Sequence, residues 1–267
     1  IRERILSVVS TNGGHLSSNL GVVELSIAMH YVFNPPSDPF IFDVSHQSYT
    51  HKLLSGRWNE FDSLRKFGGI SGYTKPSESE YDYFIAGHSS TSISLAVGAA
   101  KAIKLKNENR LPVAVIGDGA LSAGMAYEAL NELGDKKYPC VIILNDNEMS
   151  ISKNVGAFHN NLDKIRANYK YNKMKINTKR FINKIPLIGT KLSIALTNIK
   201  SSIKKLYLKE GFVFEELGIK YYGPINGHDY KELLTYLEMA KKETEPVLIH
   251  VITEKGKGYL PSEQDTL

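Results

Sequence analysis

Val113-Ala114-Val115-Ile116-Gly117-Asp118-Gly119-Ala120-Leu121 packs three statements into nine residues. Val113–Ile116 is a short, wholly apolar, β-branched run, the signature of a strand buried on both faces. Gly117-Asp118-Gly119 is a tight turn. From Ala120 to Leu133 the apolar spacing predicts a helix. The same grammar recurs on either side. Phe40–Val44 and Pro139–Leu144 read as strands, and Tyr81–Ala86 as another. Leu20–Phe33 and Ile93–Lys106 read as helices, the first stopped before Pro35-Pro36, which cannot continue it. Asp229–Lys242 reads as a helix and Pro246–Thr253 as a strand, followed by the loop Lys255-Gly256-Lys257-Gly258-Tyr259. Strand, polar turn, helix, strand predicts an α/β fold: a mostly parallel sheet with helices on both faces. Ligands of such sheets bind beyond the carboxyl ends of the strands. The polar turns Ser45–Gln47, Gly87–Ser92, Gly117–Ala120 and Asn145–Ser150 are expected to converge there.

The chain has 267 residues, 42% apolar and 23% charged, enough for a substantial core and too apolar for wholesale disorder. Its one cysteine, Cys140, excludes a disulfide scaffold and points to a reducing cytoplasm. No apolar stretch approaches the ~18 residues of a membrane span. The chain starts at Ile1 without a signal-peptide pattern, so it is expected to begin inside a longer one. Net charge is +5, unevenly spread: Asn161–Glu210 carries 13 basic and 2 acidic residues, and the remainder is mildly acidic. A basic helical or disordered insertion over about 161–209 is expected. It lacks interleaved aromatic residues and any nucleic-acid motif, so it reads as a solvated excursion. A non-catalytic module binding nucleic acid through Lys204 and Lys205 is the contrary reading.

Asp118 is the informative residue of its turn. Glycine turns ahead of helices often bind phosphate through backbone N–H groups, and a carboxylate there would repel a diphosphate. A divalent cation between the two anions turns repulsion into attraction. Further oxygen ligands are available at the next strand end, Asn145-Asp146-Asn147-Glu148-Met149-Ser150, because neighbouring parallel strands lie about 4.8 Å apart. Asn145 and Asn147 both offer an amide oxygen. An all-oxygen set completed by water and phosphate suits Mg2+; the absence of H-E-x-x-H and of paired cysteines disfavours zinc.

Gly-Asp-Gly followed by an Asn-Asp-Asn strand end resembles the thiamine-diphosphate-binding motif. Five further stretches narrow the resemblance: Gly14-His15-Leu16-Ser17-Ser18-Asn19-Leu20-Gly21, Asp43-Val44-Ser45-His46-Gln47-Ser48-Tyr49, Gly87-His88-Ser89-Ser90-Thr91-Ser92, Phe214-Glu215-Glu216-Leu217-Gly218 and Gly223-Pro224-Ile225-Asn226-Gly227-His228-Asp229. Together, and in this order, they resemble the 1-deoxy-D-xylulose-5-phosphate synthase family over nearly the whole chain outside the basic stretch. The resemblance implies a transferase that is thiamine-diphosphate- and Mg2+-dependent. It would decarboxylate pyruvate and join the two remaining carbons to glyceraldehyde 3-phosphate, for isoprenoid and thiamine biosynthesis, as a cytoplasmic homodimer with no nucleic-acid or membrane partner. Asp118, Asn147 and the Met149 carbonyl would hold the metal. His46, Gly87, His88, Ser89, Gly119, Ala120, Asn147 and Tyr259 would contact the cofactor, and His15 and His46 would serve the chemistry. It also implies one diphosphate-binding domain over 1–267, with the pyrimidine-binding and carboxyl-terminal domains elsewhere and no activity from this chain alone. The amino-terminal half of a split transketolase-like enzyme is the alternative. His30, His51, His159, His228 and His250 take no role from their spacing. His250 reads as a satisfied core histidine, His51 as a structural neighbour, and Tyr81 and Tyr83 as packing residues.

Overall fold

The computed structural model describes residues 1–147, 162–165 and 212–264. The chain divides into two compact units, Ile1–Asn154 with Phe214–Leu267, and Val155–Val213. Most of the basic stretch, and Met149, lie outside the described residues; 162–165 form one helical turn of the second unit.

The first unit opens with three helices, α1 (Arg2–Asn12), α2 (Leu16–Leu20) and α3 (Val23–Val32). Strand β1 (Phe40–Phe42) and helices α4 (Tyr49–Leu54) and α5 (Ser92–Leu105) follow. Then come β2 (Val113–Gly117), α6 (Asp118–Leu121), α7 (Gly124–Lys136) and β3 (Val141–Asp146). After the described residues resume, α8 (Phe212–Glu216) precedes β4 (Lys220–Asn226), α9 (Tyr230–Lys241), β5 (Val247–Ile252) and α10 (Leu260–Gln264). The five strands form one sheet in the order β1-β2-β3-β5-β4, every pair parallel.

Alternation across the pleat divides the side chains between two faces. Val113, Val115, Val141, Ile143, Val247, Ile249 and Val251 pack with Leu25, Met29 and Val32 of α3 and Leu233 and Leu237 of α9. The intervening residues Ala114, Ile116, Ile142, Leu144 and Leu248 are equally buried, and α5, which packs on β2 and α7, lies on the sheet as well. Both faces are therefore covered, which is why Phe40–Phe42, Val113–Ile116 and Val141–Leu144 read as unbroken apolar runs. A smaller core joins Ile5, Val8 and Val9 of α1 to Leu20, Tyr49, Phe61 and Leu64.

Three expectations change. The helix expected over Leu20–Phe33 is two, because the loop after β5 lies against the joint between α2 and α3. A Cβ on Gly21 would sit 2.9 Å from the Glu254 carbonyl oxygen, and the Ser17 carbonyl accepts the Gly256 N–H. The helix expected over Ala120–Leu133 is likewise split at Ser122–Ala123 into α6 and α7. Tyr81–Ala86 is not a strand. Its apparent two-residue period arises because Asp82 turns inward into an ion cluster, while the Tyr83 hydroxyl bonds the Pro36 carbonyl.

Gly134 in α7 meets the turn after α8: a Cβ there would lie 1.9 Å from the Leu217 carbonyl oxygen. Alanine would gain about 1 kcal/mol of helix propensity, but the clash is with backbone and overpacking costs about 1–3 kcal/mol or more. Gly134→Ala should therefore lower stability in urea unfolding despite the better helix former; a gain would show that this contact is absent.

Candidate active site

Four strand ends and the turn before α5 are bonded into one surface. Asp43, just past β1 and 2% exposed, accepts the Ser90 N–H at 2.8 Å on one oxygen and the Ser92 N–H at 3.0 Å on the other. This ties the Gly87–Ser92 turn and the start of α5 to β1. The Ser90 hydroxyl donates to the Ala120 carbonyl at 2.7 Å, joining that turn to Gly117-Asp118-Gly119-Ala120. Beyond β3 and β5, the Thr253 hydroxyl donates to Asn145 Oδ1 at 2.7 Å. Lys255 stands close enough to feel both Asp118 and His46: burial lowers its ammonium pKa, and Asp118 opposes that fall.

The turn that carries His46 is strained. Val44 and Ser45 both have left-handed backbones, at φ 56° and 65°, an uncommon conformation for a β-branched residue. Ser45 is fully buried and its hydroxyl accepts the Thr74 N–H at 2.9 Å. Thr74 belongs to an irregular loop anchored by buried charge. Arg57 holds Asp82 with two bonds of 2.7 and 2.9 Å, Lys75 N–H adds a third at 2.8 Å, and His51 approaches at 3.3 Å. Lys52, also fully buried, bonds Glu78 at 2.9 Å. Burial alone would raise the Asp82 carboxyl, but the bonds from His51 and Arg57 overcome it and hold it far below the usual carboxylate range. The same loop lays Tyr73 against His15, with ring centroids 5.9 Å apart.

His15 caps the start of α2 and meets His46 edge to face, with centroids 5.3 Å apart. The Nδ1 atom of each ring is buried without a hydrogen-bond partner. Burial, then the Arg65 charge, lowers the His15 pKa. Burial, then His15 and Lys255, brings His46 down to about 4. Both rings are thus neutral at pH 7 and keep a free polar atom in a half-buried position.

Asp118 is 4% exposed and opens α6 directly beyond β2. The register sets Gly117 beside Asn145, so Asp118 and Asn147 follow neighbouring strand ends. The Asn145 oxygen accepts the Thr253 hydroxyl, and Asn147 lies just past β3. No group of three His, Cys, Asp or Glu placed to hold a metal ion occurs among the described residues. One carboxylate beside an amide is a hard-oxygen arrangement, and it suits Mg2+ and phosphate better than a soft metal. A Cβ at Gly87 or Gly117 would meet nothing within 4 Å, so both turns face open space. The donors and the space fit a metal-bridged diphosphate. Gly87, His88 and Ser89 are exposed, Gly119 and Ala120 lie within α6, and Tyr259 packs against the smaller core built on α1.

Four further histidines among the described residues are taken up by the protein, and His159 lies outside the described residues. His250 lies fully buried between Tyr221 and Asp146, each at 2.8 Å. His51 bridges His30 and Asp82. His228 bonds Glu24 at 3.0 Å and accepts the Glu254 N–H at 2.9 Å. Reading the sequence missed Lys255 and the Asp82 cluster. Lys255 could have been noticed as the lysine following a buried strand beside Tyr259; nothing local marks Asp82.

The fold is that of transketolases. The chain superposes on transketolase from Campylobacter jejuni with a TM-score of 0.66 at 24% identity, covering 96% of this chain and 37% of that one. A Pichia stipitis transketolase matches with a TM-score of 0.69 at 17% identity, covering 98% of this chain and 36% of that one. Residues 1–253 match the family model described as 1-deoxy-D-xylulose-5-phosphate synthase. The chain belongs to that family. It is 62% identical over 259 residues to the protein of that name from Campylobacter fetus, covering 97% of this chain and 42% of the relative. With the Nitratiruptor protein of that name it shares 61% over 263 residues, covering 98% and 43%. The chain thus spans about two-fifths of the length of these curated relatives.

Two outcomes follow from the charges. Asp82→Asn would leave Arg57 buried with its main counter-charge gone and Lys52 with Glu78 alone, and should cost about 3–5 kcal/mol in chemical unfolding; a neutral effect would show that the cluster anchors nothing. Burial alone would raise the Glu24 carboxyl, but bonds from His228 and Arg2 bring it down to about 2. Its folded pKa is depressed, so its contribution is complete above pH 4.5 and fades as pH falls toward 2. Glu24→Gln should flatten the acid dependence of the melting temperature across that window.

Proposed function

We propose that this chain supplies the diphosphate- and metal-binding half of a 1-deoxy-D-xylulose-5-phosphate synthase. In this reading Mg2+ is held by Asp118, Asn147 and the main-chain carbonyl of Met149, and it anchors the diphosphate of thiamine diphosphate. Gly119 and Ala120 offer backbone N–H groups to the diphosphate, and Gly87, His88, Ser89 and Tyr259 line the groove. The observation that carries the reading is the buried Asp118 at the joint of β2 and α6, beside the end of β3, in a chain of this family.

When bound, thiamine diphosphate supplies a carbon nucleophile and electron sink, so that pyruvate loses CO2 and its remaining two carbons join glyceraldehyde 3-phosphate. His15 and His46 are neutral, so each can accept a proton at its bare ring nitrogen or donate a hydrogen bond from its N–H. Their half-buried setting keeps bulk water from competing for that proton. Lys255 adds a cation on the side of Asp118, where the phosphate charge would gather. The whole enzyme is a cytoplasmic homodimer in this reading, with no nucleic-acid or membrane partner; no helix among the described residues is long and apolar enough to cross a membrane. The product serves isoprenoid and thiamine biosynthesis.

Calorimetric titration with thiamine diphosphate and Mg2+ should give saturable binding to the chain. Asp118→Ala should abolish the Mg2+-dependent part while leaving the circular dichroism unchanged; equal affinity would remove the metal assignment. Supplied alone with pyruvate and glyceraldehyde 3-phosphate, the chain should release no CO2. In an enzyme completed by the remaining family domains, CO2 release from pyruvate is expected. Two-carbon transfer from a ketose phosphate instead would make the enzyme a transketolase.

A further inference from the structure

Asn19 is fully buried in α2 and every hydrogen-bonding group of its side chain is engaged. Its Nδ2 donates one hydrogen to the His15 carbonyl at 2.6 Å and the other to the His46 carbonyl at 2.7 Å. Its Oδ1 accepts the Tyr49 N–H, the first residue of α4, at 2.9 Å. One carboxamide therefore joins the peptide of His15, the peptide of His46 and the start of the helix that follows His46.

The histidine rings are held differently. Neither Nδ1 has a hydrogen-bond partner, so no hydrogen bond at that atom sets the orientation of either imidazole. The rings touch each other edge to face at 5.3 Å, and Tyr73 leans on His15. Such a contact keeps its geometry only if the two backbones stay in register. The His46 turn is strained at Val44 and Ser45 and would relax if its carbonyl were released. The His15 N–H contact to the Tyr49 hydroxyl is long, at 3.3 Å. Asn19 is the one side chain bonded to the backbone of both histidines among the described residues.

We propose that Asn19 is a positioning residue: its carboxamide fixes the spacing and mutual orientation of His15 and His46 by holding both peptide carbonyls. The inference rests on the reading of those histidines as groups that face the cofactor. Only an amide of this length does the work, because the site needs two hydrogens for two carbonyls and one acceptor for the Tyr49 N–H. Aspartate would keep the acceptor and set an oxygen against the two carbonyls; alanine would release all three partners.

The test uses the 267-residue chain with 15N-labelled histidine, as wild type, Asn19→Asp and Asn19→Ala. Two-bond 1H–15N spectra should show the His15 and His46 ring signals shifted or doubled in both variants. The His250 signals, set by Tyr221 and Asp146, should stay in place. The groups facing His46 are His15 and Lys255, and loosening the turn lets water reach the ring. Its titration should then move up from about 4 toward 6.5. Calorimetric affinity for thiamine diphosphate with Mg2+ should fall about tenfold, the scale on which outer supports act on a bound group. A folded variant with unchanged His15 and His46 signals overturns the clamp. If neither variant folds, hydrogen exchange at the wild-type Asn19 carboxamide decides: slow exchange supports the clamp and exchange at solvent rate overturns it. Failure of the wild type to bind thiamine diphosphate would overturn the functional reading while leaving the spectra to judge the clamp.

Discussion

The bond pair from Asp43 to Ser90 and Ser92 is the contact on which the carboxyl edge of the sheet depends. A parallel sheet sends all its strands out at one edge, and each must turn there. The turns bring backbone N–H groups that the sheet no longer satisfies, and a buried N–H left unpaired is costly. Asp43 settles two of them with one carboxylate and in doing so fixes where α5 begins. Because Ser90 then reaches Ala120, the turn after β2 is set by the same contact. Asp146, fully buried, does comparable work one strand further on, through His250. These carboxylates are spent on the protein; Asp118, at the joint of β2 and α6, has the Lys255 cation among its neighbours.

The sheet was legible because its cause is local. Val113–Ile116 and Val141–Leu144 are buried on both faces, and that demands continuous apolar residues whatever the rest of the chain does. The polar turns were legible for a related reason, since glycine and short polar residues at strand ends are required by the turns themselves. The split of the expected Leu20–Phe33 helix was not legible. It is imposed by the Glu254 backbone lying against Gly21, and no window around Gly21 contains that neighbour. The same holds for Tyr81–Ala86, where alternation imitates a strand because Asp82 is drawn inward by Arg57, 25 residues away in sequence. Strand β4 escaped as well: Tyr221, Tyr222 and Gly223 are half-buried at the sheet edge, and such a strand lacks the apolar run that marked the others.

Within the site, residue types were easier to read than their supports. Asp118 and the amides of the next strand end stand in a pattern whose chemistry can be argued from the side chains, whereas His15 and His46 were singled out by the family resemblance. Asn19, Ser45, Thr74 and Asp82 cannot be found that way, because each acts through a partner elsewhere in the chain. Ser45 shows the point. Its hydroxyl accepts the Thr74 N–H, and only the left-handed backbone at Val44 and Ser45 reveals why such a bond is needed there.

Electrostatics explains why the two halves of the edge differ. On the Asp118 side, a buried carboxylate and the Lys255 ammonium lie close enough to affect each other. On the His15 side, burial and the cations Arg65 and Lys255 keep both imidazoles uncharged. After burial, a cation near each histidine further works against protonation. An anion held at Asp118 through a metal would therefore be balanced locally by the metal and Lys255. In the proposed reading it would not need to recruit a proton to His46 or His15, and charge anchoring and proton handling would stay separate on one sheet edge.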